Sequence, residues 1–101
     1  AAFAELKELT HLDLVSCDKL SGGDIAIFTE LKDLRIVRLA ARKKLIGDIR
    51  IFSGMKQLEH VDLAGCEQLL GDIRILSELK ELQWVNLNGC KQLVGDIAAF
   101  A

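Results

Sequence analysis

The chain of 101 residues repeats itself, and that feature limits its possible folds more than any other. Four segments align almost without gaps: LKELTHLDLVSCDKLSGGDIAIFTE from Leu6, LKDLRIVRLAARKKLIGDIRIFSG from Leu31, MKQLEHVDLAGCEQLLGDIRILSE from Met55 and LKELQWVNLNGCKQLVGDIAAFA from Leu79. Their starts lie 25, 24 and 24 residues apart, and the one extra residue is the second glycine of Gly22–Gly23. The shared frame reads L-K-x-L-x-x-L/V-x-L-x-x-C-x-x-L-x-G-D-I-x-x-F/L. A unit this short cannot bury an apolar face alone, so the units must stack on one another.

Composition narrows the class further. Half of the residues are apolar and the formal charge is only −2, which excludes an ordinary disordered chain. No apolar run approaches the roughly 20 residues that a membrane span requires. No basic stretch leads into an apolar one, so no secretory signal is read.

Two periods run inside the frame. Leu12-x-Leu14, Val37-x-Leu39, Val61-x-Leu63 and Val85-x-Leu87 alternate with period two, which predicts short strands buried on one face. After each comes a turn, then Gly-Asp-Ile and apolar residues every three positions, as in Ile25, Phe28, Leu31 and Leu34. That spacing suits a 3₁₀ or irregular α turn. Asp24, Asp48, Asp72 and Asp96 stand where a helix cap accepts backbone N–H groups. The glycine before each (Gly23, Gly47, Gly71, Gly95) can take a turn conformation closed to other residues.

The pattern L-x-x-L-x-L-x-x-C resembles the leucine-rich repeat family, over essentially the whole chain. The resemblance implies an α/β fold: a right-handed solenoid with a parallel sheet on its concave face and short helical or 3₁₀ segments on its convex face. It implies one array over residues 1–101, with units at approximately 6–30, 31–54, 55–78 and 79–101 and a partial convex segment at 1–5. The unit length and the L-x-G-D-I stretch are most similar to the plant-type subclass, which has L-x-G-x-I-P. Two departures stand out: no proline follows the isoleucine, and cysteine replaces the asparagine whose side chain bonds the turn backbone across repeats. A thiol does this weakly, so the frame leaves that ladder open.

Each chemistry-bearing column has a plain structural reading. Cys17, Cys66 and Cys90 share one position, where the second unit has Arg42; equivalent side chains run parallel, and no CxxC pair exists for zinc. They are expected to be buried thiols, and their odd number favours a reducing compartment. His11-x-Asp13 and His60-x-Asp62, with Ser16 nearby, resemble parts of a triad. The pair occurs twice, however, with Ile36 between and about 10 Å separating the two strands. No catalytic, metal or cofactor residues are therefore assigned.

Lys7, Lys32, Lys56 and Lys80 form a basic ladder beside Glu8, Asp33, Gln57 and Glu81, read as a mixed-charge solvated flank. Arg35, Arg38, Arg42, Lys43 and Lys44 make one basic cluster in the second unit. Nucleic-acid binding would need a basic face over several units with stacking aromatics, so it is not expected.

Alternation along the strands turns three columns outward: His11, Ile36, His60, Trp84; Asp13, Arg38, Asp62, Asn86; and Val15, Ala40, Ala64, Asn88. If the concave face binds a protein, His11, Asp13, Ile36, Arg38, His60, Asp62, Trp84, Asn86 and Asn88 line it, with Trp84 and Arg38 as anchors. Ala1–Ala4 and Ala98–Ala101 both read A-A-F-A at the same phase, without a polar capping unit at either end. The expectation is a non-enzymatic repeat scaffold of idealised or engineered sequence that associates end to end. Protein recognition through the concave face is the alternative.

Overall fold

The computed structural model describes residues 8–14 and 23–95. The fold is mixed α/β, with parallel strands in two sheets and few helices. β1 (His11–Asp13), β2 (Ile36–Arg38), β4 (His60–Asp62) and β6 (Trp84–Asn86) form a four-stranded sheet in that spatial order. β3 (Gly47–Asp48), β5 (Leu69–Asp72) and β7 (Leu93–Val94) form a three-stranded one. Between sheets run the 3₁₀ turns Ile25–Phe28 and Ile49–Gly54 and a single α turn, α1 (Arg74–Ser77). The same frame positions thus give the tighter helix twice and the α turn once.

Register follows the repeat. His11 aligns with Ile36, Ile36 with His60 and His60 with Trp84, so equivalent frame positions are neighbours across the sheet. One carbonyl ahead of each strand takes two N–H groups from the next: Thr10 O from Arg35 and Ile36, Arg35 O from Glu59 and His60, Glu59 O from Gln83 and Trp84. In the smaller sheet the register is offset by two residues from the repeat, Gly47 lying opposite Leu69 and Gly71 opposite Leu93.

The core lies between the sheets and the helical turns. Val37, Leu39, Ile49, Phe52, Leu58, Val61, Leu63, Leu69 and Leu76 are completely buried, and all come from frame positions. Asp24 and Asp48 cap the two 3₁₀ turns as expected, each Oδ1 accepting the N–H two residues on at 2.8 Å. Asp72 Oδ1 accepts Arg74 N in the same way at 2.9 Å, but α1 starts one residue later and its N-cap position is Ile73. Asp96, Gly22, Lys7, Val15, Ser16, Cys17 and both A-A-F-A segments lie outside the described residues.

The Gly-Asp step has a steric cause. Gly47, Gly71 and Gly95 hold φ of 127°, 131° and 118°. A Cβ at Gly71 would stand 2.7 Å from Ile49 Cγ1 and 2.8 Å from Asp48 Oδ1. The glycine of one unit therefore lets its backbone pass against the capping aspartate of the unit before it.

The turn after the main strands shows a second left-handed position. Gly65 and Gly89 have φ of 79° and 81°, and the equivalent residue of the second unit is Ala41, at φ 67°. A side chain there costs about 1–2 kcal/mol, offset in part by the greater chain entropy of glycine. Ala41→Gly is expected to stabilise the fold by about 0.5–1 kcal/mol, read as a higher urea midpoint with an unchanged slope.

Candidate functional site

The four-stranded sheet turns one face to the core and the other outward, as alternation requires. Leu12, Val37 and Val61 go inward; the outward columns are those anticipated from the frame. In the first column His11 and Trp84 are exposed, and Ile36 and His60 are half-buried. The His60 and Trp84 rings stack with centroids 4.2 Å apart and planes 13° from parallel. Such a pair contributes about 0.5–1.5 kcal/mol beyond the area it buries. His11 Nδ1 sits 2.9 Å from Thr10 Oγ1.

In the second column Arg38 Nη1 donates to Asp13 Oδ2 at 3.2 Å, with both side chains about half exposed. Asp62 Oδ1 accepts from Ala64 N at 3.1 Å and Asn86 Oδ1 from Asn88 N at 3.0 Å. These bonds turn the chain at the end of each strand and fix both side chains. In the third column Ala40 and Ala64 are half-buried and Asn88 is exposed. Ile36, Arg38, His60, Asp62, Trp84 and Asn86 line a shallow open depression of about 520 Å³. Six of the nine anticipated residues therefore meet in one place, while His11, Asp13 and Asn88 lie outside the depression. Arg38 reaches it with its charge already engaged, which leaves Trp84, 44% exposed, as the stronger anchor.

The basic cluster of the second unit does not act as one patch. Arg35 binds Glu59 through Nε (2.7 Å) and Nη2 (2.5 Å), and Arg38 binds Asp13. Arg42 is turned inward and only 8% exposed, and Ala41 N still donates to Ala64 O at 2.7 Å. The strand is therefore not bent out to accommodate the arginine. Lys43 and Lys44 stay exposed. The lysine ladder is solvated at its described positions, with Lys32, Lys56 and Lys80 exposed. Among the described residues the ion pairs are Arg35–Glu59, Arg38–Asp13, Arg50–Asp48, Arg74–Asp72 and Lys91–Glu67, and the ladder lysines enter none of them.

The cysteine column forms the cross-unit ladder that the frame left open. Cys66 Sγ donates to Leu39 O at 3.1 Å and Cys90 Sγ to Leu63 O at 2.9 Å; both thiols are free and buried. Burial pushes the Cys66 thiol up from 9.0 to about 11, and burial likewise raises Cys90. Between those pH values the unfolded chain loses protons that the folded chain keeps, so stability falls as pH rises from about 9 to about 11. Cys66→Ala is expected to flatten that part of the profile, measured by urea unfolding at stepped pH; an unchanged slope would contradict the assignment.

Two further features were not anticipated. Gln68 Nε2 donates to Lys43 O at 3.2 Å and Gln92 Nε2 to Glu67 O at 3.3 Å, a second ladder between adjoining units. Ile46, Leu70 and Val94, each just before the frame glycine, are the same column and are all exposed. Both were open to detection as recurring residue types at fixed phase. Among the described residues no group of three or more His, Cys, Asp or Glu side chains converges as a metal site. No helix among them is long and apolar enough to cross a membrane.

Set against protein-family models, curated proteins and solved structures, the chain matches none of them.

Proposed function

We propose that the chain is a non-enzymatic scaffold of the leucine-rich repeat type, a right-handed solenoid of idealised units that associates end to end. The observation that carries this reading is the change in burial between equivalent positions. Leu58, Val61, Leu63 and Leu69 are completely buried, whereas Leu82, Val85, Leu87 and Leu93, one unit on, are only partly buried. Apolar surface that a further unit would cover favours association, at roughly 25 cal/mol per Å² removed from water. Light scattering over a concentration series tests this: mean mass is expected to rise with concentration, and a constant monomer mass would contradict it.

A second reading, recognition of a protein partner through the exposed sheet face, is favoured by the depression around the His60–Trp84 stack. On that reading Trp84→Ala weakens a partner bound there roughly 30-fold, the loss of about 2 kcal/mol usual for a buried aromatic anchor. Binding unchanged by the substitution would remove this face as the site.

A further inference from the structure

We infer that the open edge of β6 takes β1 of a second copy as its next parallel strand, aligning Trp84 with His11, Val85 with Leu12 and Asn86 with Asp13 of the incoming chain. This rests on the reading of end-to-end association and specifies its surface and register.

The hydrogen-bond pattern within the sheet defines what fits that edge. Thr10 O, Arg35 O and Glu59 O each receive two N–H groups from the following strand, and Gln83 O stands next in the series. Leu63 N and Gly65 N donate across to Asn86 O and Asn88 O, and Leu87 N and Gly89 N are their counterparts one unit later. Among the described residues none of these three groups at the β6 edge has a strand beyond it, because β6 ends the sheet. At the opposite end of the sheet, where among the described residues no strand lies beyond β1, Thr10 N and His11 N stand at the frame positions whose counterparts Glu59 N and His60 N meet Arg35 O. One end thus supplies the donors that the other end's carbonyl is placed to accept.

Side chains agree with the backbone. Gln83 meets Thr10 where Glu59 meets Arg35, so two neutral groups face each other. Asn86 comes beside Asp13, an amide donor beside a carboxylate. His60 covers one face of the Trp84 ring, and His11 is placed to cover the other. Partly buried Leu82, Val85, Leu87 and Leu93 acquire the cover that seals Leu58, Val61, Leu63 and Leu69. The contact forms between copies, so association is expected to rise with concentration. Because the two surfaces differ, the contact is heterologous and extends into open oligomers.

The test uses full-length chains in a Cys17→Ser background. Thr10→Cys chains are mixed with Gln83→Cys chains and treated with a short bismaleimide, beside a control mixture of Ser53→Cys and Gln83→Cys chains. The Thr10–Gln83 mixture is expected to give a cross-linked dimer several-fold in excess of the control. Val85→Lys, checked for retained folding by circular dichroism, is expected to stay monomeric at concentrations where the parent associates. Association with equal cross-linking in both mixtures overturns the edge assignment and leaves end-to-end association to other surfaces. Association undiminished in folded Val85→Lys does the same. A parent chain that stays monomeric throughout overturns both this inference and the reading beneath it.

Discussion

Gly71→Ala is expected to cost about 3 kcal/mol, one of the two largest losses of stability predicted for a single substitution in this chain. Gly71 holds φ 131°, a region open almost only to glycine, where another residue costs about 1–3 kcal/mol. The added methyl also enters an occupied place, 2.7 Å from Ile49 Cγ1 and 2.8 Å from Asp48 Oδ1. Neither neighbour retreats easily, because Ile49 is completely buried and Asp48 Oδ1 is bonded to Arg50 N. Gly54→Ala provides the matched control. Its φ is not positive, and the new Cβ would meet only Lys32 Nζ, at 3.3 Å, the tip of a flexible side chain. That substitution is expected to be neutral or to stabilise by up to about 1 kcal/mol, through reduced entropy of the unfolded chain. Urea unfolding of the two variants side by side measures the contrast. Equal effects would show that the Gly-Asp step is not the steric junction between units.

Leu63→Ala and Leu87→Ala test the same frame position at two depths. Leu63 is completely buried, and its carbonyl accepts both Cys66 N (3.0 Å) and Cys90 Sγ (2.9 Å). Truncating it removes packing on both sides and leaves a cavity between units, at a cost of about 3 kcal/mol. Leu87 is only partly buried and has a described unit on one side alone, so the same change is expected to cost about half as much. On the proposed solenoid reading, stability is a sum of units and nearest-neighbour junctions, and cost depends on how many junctions a residue enters. Equal losses at monomer concentrations would contradict that dependence.

Much of the local structure could be read from the frame. Alternation locates the strands of the four-stranded sheet, three-residue spacing locates the helical turns, and Asp24 and Asp48 cap the two 3₁₀ turns; the three-stranded sheet at the Gly-Asp step carries no such alternation. Because frame positions align across the sheet, the outward columns followed directly, His11–Ile36–His60–Trp84 among them. The polar contacts between units were less legible, for a geometric reason. In sequence the opposite charges stand in neighbouring columns, the lysines beside Glu8, Asp33 and Glu81. The observed pairs Arg35–Glu59, Arg38–Asp13 and Lys91–Glu67 instead join the same frame position in adjoining units. Strands about 4.8 Å apart bring such residues side by side, whatever lies next to them in sequence. The thiol and glutamine ladders have the same origin: each side chain bonds a carbonyl of the preceding unit. Arg42 takes the place that the small buried thiols of Cys66 and Cys90 hold in the third and fourth units, and its frame position alone does not say which way so long a side chain turns. Its inward turn depends on the strand remaining in register, and Ala41 N to Ala64 O shows that it does.

On the proposed solenoid reading, each frame of 24 residues is one interchangeable layer, joined only to the layer before and the layer after. Inserting a second copy of residues 55–78 directly after Glu78 tests it most directly. The new Gly-Asp step, cysteine, glutamine and strand then meet partners of the kinds already seen between the third and fourth units. The longer chain is expected to fold cooperatively, with a higher melting temperature and a steeper urea dependence, from one more layer of buried surface. A chain that unfolds at lower temperature or loses its cooperative transition would contradict it.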